Sequence, residues 1–245
     1  MKTPITTELR LESVDSTMDA ARAVAGTQDF LLVSAESQTG GKGTRGRPWY
    51  SPSGNIYMTL GINRRHLPAE RLALFPLEMG TWLCEEACLR LPESRRSGLV
   101  LKWPNDLLIR GAGASPPSKT AGILMESYGE FLLAGIGINV TEAPAVADGG
   151  TPSACLADHG MPVSETPALV EGLYRRVLAA FAAGNPDPEK VLLAWQAKVD
   201  WQANHRLRDR PGHPWVLPVA VNRQGHLLVT HGDGSLEWLV SDYLA

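Results

Sequence analysis

Cysteine, long apolar runs and an excess of either charge are all scarce in this 245-residue chain, and each scarcity excludes a class of protein. The three cysteines, Cys84, Cys88 and Cys155, are an odd number with no signal peptide before them, so we expect reduced thiols in the cytoplasm. The longest uncharged stretch, Pro48 to Asn63, is interrupted by proline and glycine and fits no membrane span. A formal net charge of −3 argues against a general nucleic-acid scaffold or a polybasic membrane binder.

The pattern of apolar residues predicts a mixed fold followed by a small β domain. Apolar runs predict strands at 30–35, 55–62, 98–102 and 131–140. Helical spacing predicts helices at 18–25, 72–91, 167–183 and 188–199, the second of them kinked or restarted at Pro76. After residue 200, short strand patterns separated by glycine-containing turns predict a small antiparallel barrel. We therefore expect two domains, 1–197 and 198–245.

A glycine-rich basic loop at 40–47 is the first chemical signal. It holds the cations Lys42, Arg45 and Arg47 among four glycines, and glycines allow backbone amides to approach a phosphate closely. The spacing matches a dinucleotide-binding fingerprint, but the prolines that follow exclude the helix which that motif requires. A P-loop is excluded because no Gly-Lys-Ser/Thr closes the loop. Trp49 beside the cations favours a mobile loop over an anionic ligand rather than a solvated surface loop.

Three further segments carry chemistry-bearing residues at strand ends. The segment 102–106 reads Lys-Trp-Pro-Asn-Asp at the end of a strand pattern, so Asn105 and Asp106 could present polar groups to a ligand. The alternative is an ordinary Asn-Asp turn with no functional role. Asp106 is a candidate for orienting Mg²⁺. Lys119 precedes Thr-Ala-Gly-Ile-Leu-Met-Glu, where a lone lysine would normally face solvent. In 135–139, Gly-Ile-Gly-Ile-Asn, two glycines on one strand face leave room for a flat ligand.

Taken in order, these segments resemble the biotin protein ligases. That family's glycine-arginine loop with Trp-x-Ser-Pro-x-Gly matches 41–54, and its Lys-Trp-Pro-Asn-Asp matches 102–106. Its Lys-x-x-Gly-Ile-Leu-x-Glu matches 119–126, its Gly-x-Gly-x-Asn matches 135–139, and an early Asp-Ser-Thr matches 15–17. Each motif alone is weak to moderate, but five in register are specific. The resemblance continues into the C-terminal barrel and so covers nearly the whole chain.

The resemblance implies a fold and a two-step reaction. The fold is α/β (α+β), with a mixed sheet and helices as in class II aminoacyl-tRNA synthetases, plus a small C-terminal SH3-like barrel. The reaction uses ATP and Mg²⁺ to convert biotin into biotinyl-5′-AMP and then biotinylates a lysine of the biotin carboxyl carrier protein of a carboxylase. Such chemistry depends mainly on positioning and charge neutralisation.

The resemblance also assigns residues by position. The implied biotin contacts are Ser16, Thr17, Gln38, Gly41, Lys42, Gly43, Thr44, Lys119, Gly122, Gly135 and Gly137. The implied ATP or adenylate contacts are Lys42, Gly43, Thr44, Arg45, Arg47, Trp49, Asn105, Lys119 and Asn139. The catalytic candidates are Lys119, Arg45 and Lys42, with Lys119 neutralising charge between the biotin carboxylate and the α-phosphate. The loop departs from the family at Lys42 and Thr44, where arginine is usual, and we expect weaker retention of the adenylate.

Several alternatives stay open at this point. A lipoate or octanoyl ligase shares the fold but lacks Lys-Trp-Pro-Asn-Asp, and a biotin-sensing module would not need the cation at Lys119. A nucleic-acid module built on the basic loop is disfavoured by the acidic total charge. The chain starts directly at the catalytic motifs, so we expect a monofunctional ligase that is not a DNA-binding repressor. A homodimer is possible, because the family includes monomers and dimers.

Overall fold

The computed structural model describes residues 3–111, 116–145 and 151–240, and seven strands of this part form one mixed sheet. The strands are β1 (Thr6–Val14), β2 (Phe30–Gln38), β3 (Ile56–Asn63), β4 (Leu99–Lys102), β5 (Asp106–Ile109), β6 (Ser118–Tyr128) and β7 (Phe131–Ile138). Their order is β1-β2-β3-β7-β6-β5-β4. β1 and β2 are parallel, and the other neighbouring pairs are antiparallel.

Helices cover both faces of this sheet. They are α1 (Thr17–Val24), α2 (Ala69–Arg90), α3 (Glu93–Arg96), α4 (Thr166–Ala182) and α5 (Pro188–Gln196). Successive side chains of a strand point to opposite faces, so Leu31 and Val33 pack with α1 through Met18, while Phe30 and Leu32 join the larger core beneath α2 and α4. Because both faces are covered, five of the first six residues of β2 are buried, and only its last three residues, 36–38, emerge from the core.

α2 corrects one expectation. A kink or a restart was predicted at Pro76, and the restart is wrong, because a single helix runs from Ala69 to Arg90 with this proline inside it. Proline removes one backbone donor, and the buried neighbours Leu74, Phe75 and Leu77 hold the helix against the sheet. No helix within the described residues is long and apolar enough to cross a membrane. The glycine-, serine- and proline-rich stretch 111–118 has a composition that predicts a flexible surface loop, and it falls partly outside the described residues.

A second, smaller sheet follows at the C-terminal end. Its strands are β8 (His205–Arg206), β9 (Trp215–Val221), β10 (Leu227–His231) and β11 (Leu236–Leu239). They pair antiparallel in the order β11-β10-β9-β8. Trp103 Nε1 donates to the Gly225 carbonyl oxygen at 2.8 Å and so links the two sheets. The predicted fold class, a mixed sheet with helices and a small C-terminal antiparallel unit, is confirmed, whereas the limits 1–197 and 198–245 stay a prediction.

Candidate active site

One cavity of about 740 Å³ lies between the N-terminus of α1, the loop at 39–51 and strands β6 and β7. Its size is typical of a small-molecule site. The predicted residues that line it are Ser16, Thr17, Gln38, Lys42, Gly43, Thr44, Arg47, Trp49, Asn105, Asp106, Lys119, Gly122, Gly135, Gly137 and Asn139. Of the predicted site residues, all of which are described, Gly41 and Arg45 do not line the cavity.

A network of hydrogen bonds fixes the polar end of the cavity. Gln38 Oε1 accepts hydrogen bonds from the Thr17 amide at 2.8 Å and the Thr17 hydroxyl at 3.1 Å. Gln38 Nε2 donates to Ser51 Oγ at 3.0 Å, and the Thr59 hydroxyl donates to Thr17 Oγ1 at 3.0 Å. The Gln38 amide is therefore held in one orientation at the N-terminus of α1, next to the buried hydroxyl of Ser16. Such an array suits a ligand with both amide-like donors and acceptors.

Glycines make the wall of β6 and β7 flat. Gly122 and Gly137 are paired across these strands, and a Cβ on Gly137 would overlap Trp49 Cε2 and Nε1. A Cβ on Gly135 would lie 2.8 Å from the sulfur of Met18. The indole of Trp49 thus lies directly against bare backbone, which only glycine permits.

Two buried polar atoms of this wall have no hydrogen-bond partner among the described residues: Trp49 Nε1 and Asn139 Oδ1. Buried polar groups in proteins are nearly always paired. One donor and one acceptor at this wall are therefore unsatisfied, and a ligand that displaces the groups covering them could pair with both.

A buried carboxylate holds the catalytic candidate Lys119. Asp106 Oδ1 lies 2.6 Å from Lys119 Nζ, and Asp106 Oδ2 lies 3.2 Å from Lys102 Nζ. Burial acts to raise the pKa of Asp106, but the two ammonium groups outweigh it and keep the pKa below its usual value. Lys102 also donates to Thr151 Oγ1 at 2.9 Å. The triad carries a net positive charge and fixes the ammonium of Lys119, which is also 5.3 Å from the centre of the Trp49 ring.

These contacts do not favour Asp106 as a magnesium ligand. Its carboxylate is already engaged by two ammonium groups. In the described part of the chain, no group of three or more His, Cys, Asp or Glu side chains could hold a metal ion. Asn105, the neighbouring candidate, donates from Nδ2 to the Ile123 carbonyl oxygen at 2.6 Å and so clamps its turn onto β6.

The basic loop folds back on itself at the cavity mouth. The Gly43 amide donates to the Arg47 carbonyl oxygen at 2.7 Å, and the Trp49 amide donates to the Gly41 carbonyl oxygen at 2.9 Å. Gly41 is buried beneath this loop, which explains why it does not reach the cavity. The Lys42 ammonium lies 2.7 Å from Asp19 Oδ2 at the start of α1.

Arg45 lies at the tip of this loop with a left-handed backbone, φ 62°. Its guanidinium forms an ion pair with Asp209 of the C-terminal unit. Arg45, a candidate for catalysis and for contact with the adenylate, therefore pairs with the C-terminal unit and does not line the cavity in this structure. Arg47 donates to Thr44 Oγ1 at 3.2 Å, so the threonine that stands where the family has a cation stabilises the loop internally.

Other lining residues were not predicted from the sequence. They are Met18, Pro48, Tyr50, Ile123, Leu124, Ile136, Pro144, Ala145, Thr151, Ser153 and Arg208. Ile123 and Ile136 alternate with the glycines and belong to the core on the other face of the sheet, so strand period alone did not identify them as lining residues. Arg208 lies far along the chain in a segment without a motif, and no local signal identifies it.

A family profile and individual relatives of this chain point to the same family. The profile of the Biotin/lipoate A/B protein ligase family matches residues 11–141. A biotin–[acetyl-CoA-carboxylase] ligase of Mycobacterium tuberculosis is 31% identical over 219 residues, which cover 86% of this chain and 78% of that protein. One of Paracoccus denitrificans is 35% identical over 151 residues, 58% of this chain and 59% of that protein.

Solved structures share the fold. The biotin protein ligase from Leishmania major in complex with biotinyl-5-AMP has a TM-score of 0.69 at 29% identity, over 96% of this chain and 99% of that chain. The ligase from Aquifex aeolicus in complex with biotin and ATP has a TM-score of 0.71 at 22% identity, over 98% of this chain and 97% of that chain. The second likeness, at this identity, concerns the fold alone.

Proposed function

The chain belongs to the biotin/lipoate A/B protein ligase family, and we propose that it is an ATP-dependent biotin ligase. It activates biotin as biotinyl-5′-AMP and transfers the biotinyl group to a lysine of the biotin carboxyl carrier protein of acetyl-CoA carboxylase or a related carboxylase. One observation carries this proposal: the ammonium of Lys119, fixed by a buried carboxylate, lies beside the flat wall of the cavity.

The cavity supports a division of the ligand between its two ends. We assign the ureido ring of biotin to the polar end, where Thr17 and Gln38 present oriented donors and acceptors. We assign the adenylate to the wall at Gly122 and Gly137, which the Trp49 indole covers in this structure. Binding therefore requires the indole to move off the glycines, and it then offers the adenine an aromatic face while Asn139 offers an acceptor. The biotin carboxylate and the α-phosphate meet near Lys119 in this arrangement.

Adenylation is then a reaction of positioned charges. A carboxylate oxygen of biotin attacks the α-phosphorus of ATP, the bond to the bridging oxygen of the β-phosphate breaks, and pyrophosphate leaves. Lys119 lowers the repulsion between the two anions and stabilises charge on the α-phosphate, which is worth a few kcal/mol for a preorganised cation. Asp106 is a positioning residue, because it contacts Lys119 rather than the reacting atoms.

Transfer follows from the same site. The neutral amine of the carrier lysine attacks the carbonyl carbon of the mixed anhydride, and the bond from that carbon to the phosphate oxygen breaks. An amide forms, AMP leaves, and the proton lost by the amine passes to solvent. The described residues supply no cluster of metal ligands, so we derive no step through a protein-bound Mg²⁺, and the ion enters the proposal as part of the MgATP substrate. We further propose that the protein works in the cytoplasm, where Cys84, Cys88 and Cys155, all free thiols, remain reduced.

The test is the intact mass of a purified apo biotin-carrier domain after incubation with this protein, biotin, ATP and Mg²⁺. We expect one biotinyl adduct per carrier that depends on ATP. Parallel reactions with lipoate and octanoate distinguish a biotin ligase from a lipoate or octanoyl ligase. An adduct with those acids and none with biotin would contradict the proposal. Sedimentation velocity with and without biotin and ATP decides between a monomer and a homodimer, and an electrophoretic shift assay tests the expectation that no DNA is bound.

Two variants separate a ligase from a biotin-sensing module. Lys119→Ala is expected to keep biotin affinity within a few-fold and to lose adenylate formation. Lys190→Ala removes an exposed lysine of α5 and serves as the charge-matched control with unchanged turnover. A wild-type protein that binds biotin by calorimetry but gives no adduct on any biotin-carrier domain would favour the sensing module.

A further inference from the structure

A path of alternating charges connects strand β6 to the basic loop. Glu126 of β6 holds Arg22 of α1 by two contacts: Arg22 Nε donates to Glu126 Oε1 at 2.9 Å, and Arg22 Nη2 pairs with Glu126 Oε2. Arg22 also forms an ion pair with Asp19, about one turn earlier on the same helix. The other carboxylate oxygen of Asp19, Oδ2, lies 2.7 Å from the ammonium of Lys42 in the loop. Opposite charges therefore follow one another from the sheet, through the helix, to the loop.

This path lies on the face of the sheet that lines the cavity. Glu126 is four residues beyond Gly122, and because successive positions of a strand alternate between faces, both lie on the cavity face of β6. α1 packs on the same face, through the core cluster that includes Leu124. Lys42 lines the cavity, whereas Asp19 is not among the described residues that line it. Asp19 can therefore affect a ligand in the cavity through Lys42, which it contacts.

The helix also holds the first residues of the loop. The Thr39 hydroxyl donates to Asp15 Oδ1 at 2.9 Å, and the Gly40 amide donates to the Asp15 carbonyl oxygen at 2.8 Å. The contact between Asp19 and Lys42 extends this attachment to the residues just before the tip at 44–46. The start of α1 thus holds the loop at two successive points.

We propose that Asp19 is a positioning residue, which holds the Lys42 ammonium at the cavity so that the loop retains the adenylate between the two half-reactions. This inference rests on the proposed ligase function and adds a residue of α1 to it. An ammonium has three donors, so Lys42 can bind Asp19 and still donate to an anionic oxygen of the ligand. Lysine has a long and flexible side chain, and fixing it before the ligand arrives removes part of the entropic cost of binding.

The exposure of the pair determines the size of the effect. The side chains of Lys42 and Asp19 are 47% and 37% exposed, and an isolated ion pair of this kind contributes little to stability because water screens it. Asp19 is not isolated, since Arg22 holds its other oxygen and Glu126 holds Arg22 in turn. The carboxylate is therefore fixed independently of Lys42, and we expect an effect near the upper limit for an exposed pair.

The test measures how fast biotinyl-5′-AMP leaves the full chain. Wild type, Asp19→Ala, Lys42→Met and the double variant are loaded with labelled biotinyl-5′-AMP and chased with an excess of the unlabelled compound. Glu189→Ala is the matched control, because Glu189 also lies in the first turn of a helix and pairs with an arginine, Arg223, at 2.6 Å, but does not line the cavity. We expect Asp19→Ala to release the adenylate about three- to fivefold faster than wild type, near the upper limit for an exposed ion pair, and Glu189→Ala to release it as wild type does.

The double variant shows whether Asp19 acts through Lys42. Lys42→Met alone should speed release, and Asp19→Ala should add nothing in that background, because no ammonium is left to position. The same increase in both backgrounds would mean that Asp19 only stabilises α1. Slower release from Asp19→Ala would mean that Asp19 competes with the ligand for Lys42. Either result, or an unchanged rate, would overturn the proposal.

The same proteins separate this inference from the ligase function. A wild type that binds biotinyl-5′-AMP but shows no biotin-dependent exchange of pyrophosphate would refute the ligase function, while the release series would still decide the role of Asp19. Failure of the wild type to bind biotinyl-5′-AMP would overturn both.

Discussion

Removing the charge of Asp106 tests the triad that holds Lys119. Asp106→Asn keeps the shape of the side chain but leaves two ammonium groups without their carboxylate, and Lys102 is only 3% exposed. Removing one partner of a buried ion pair destabilises a protein by about 3–5 kcal/mol. The loss of stability cannot exceed about 5 kcal/mol, because at that point one of the two lysines would lose its proton at pH 7 instead.

We therefore expect the free energy of unfolding to fall by about 3–5 kcal/mol in Asp106→Asn, and the melting temperature to fall by about 6–20 °C, at about 2–4 °C per kcal/mol for a chain of this size. Because the pKa of Asp106 is lowered in the folded protein, the stabilisation by this residue is present above about pH 4 and is lost as the pH falls below it. Adenylate formation should decrease about 100-fold, since Lys119 loses the group that positions it.

Urea unfolding and thermal melting measure the first effect, and single-turnover formation of biotinyl-5′-AMP measures the second. The double variant Lys102→Met, Asp106→Asn removes the most buried ammonium together with the carboxylate, so it should recover most of the stability but not the rate. A loss of less than about 1 kcal/mol in Asp106→Asn, or full recovery of the rate in the double variant, would refute this reasoning.

Three further changes have defined outcomes. Gly137→Val forces a side chain into the space of Trp49 and should abolish adenylate formation, while circular dichroism should show that the variant is still folded. Gly232→Ala, with no atom within 4 Å of the added Cβ, should leave both adenylate formation and folding unchanged. Thr44→Arg restores a loop cation and should slow escape of the adenylate in a chase experiment; equal escape rates would contradict the role given to that missing charge. Burial acts to raise the pKa of Asp29, but the Ile5 amide, His66 and Arg65 hold it at about 2. The stabilisation that Asp29 gives the folded protein is therefore present above about pH 4 and is lost toward pH 2. In urea unfolding, Asp29→Asn should lose less stability between about pH 4 and pH 2 than the wild type does.

The strands and helices with a strong period were predictable from the sequence. The runs at 30–35, 55–62 and 131–140 became β2, β3 and β7, and the helix with Leu169, Leu173 and Val177 on one face became α4. β1, β5 and β6 were not predicted as strands. β1 alternates charged and apolar residues at a sheet edge and is only half buried, so its apolar signal is weak.

In the site too, residues with a local sequence signal could be predicted and the others could not. From the sequence, Gly135 and Gly137 predicted room for a flat group, because their effect is local: without a Cβ, a strand lets another group lie against its backbone. Gly122 was assigned to the site only through the family resemblance. The motifs also indicated that Ser16, Gln38 and Lys119 belong together, although residues 16 and 119 are about a hundred positions apart.

Which charge meets which was decided by the tertiary structure alone. Arg45 was predicted to face the ligand and instead pairs with Asp209, Asp106 was a metal candidate and instead binds two lysines, and Arg208 enters the cavity from the second sheet. The energy of an ion pair depends on the distance between the charges and on the water excluded around them. Those two quantities exist only after folding brings distant segments together, whereas periodicity and glycine content are properties of the chain itself.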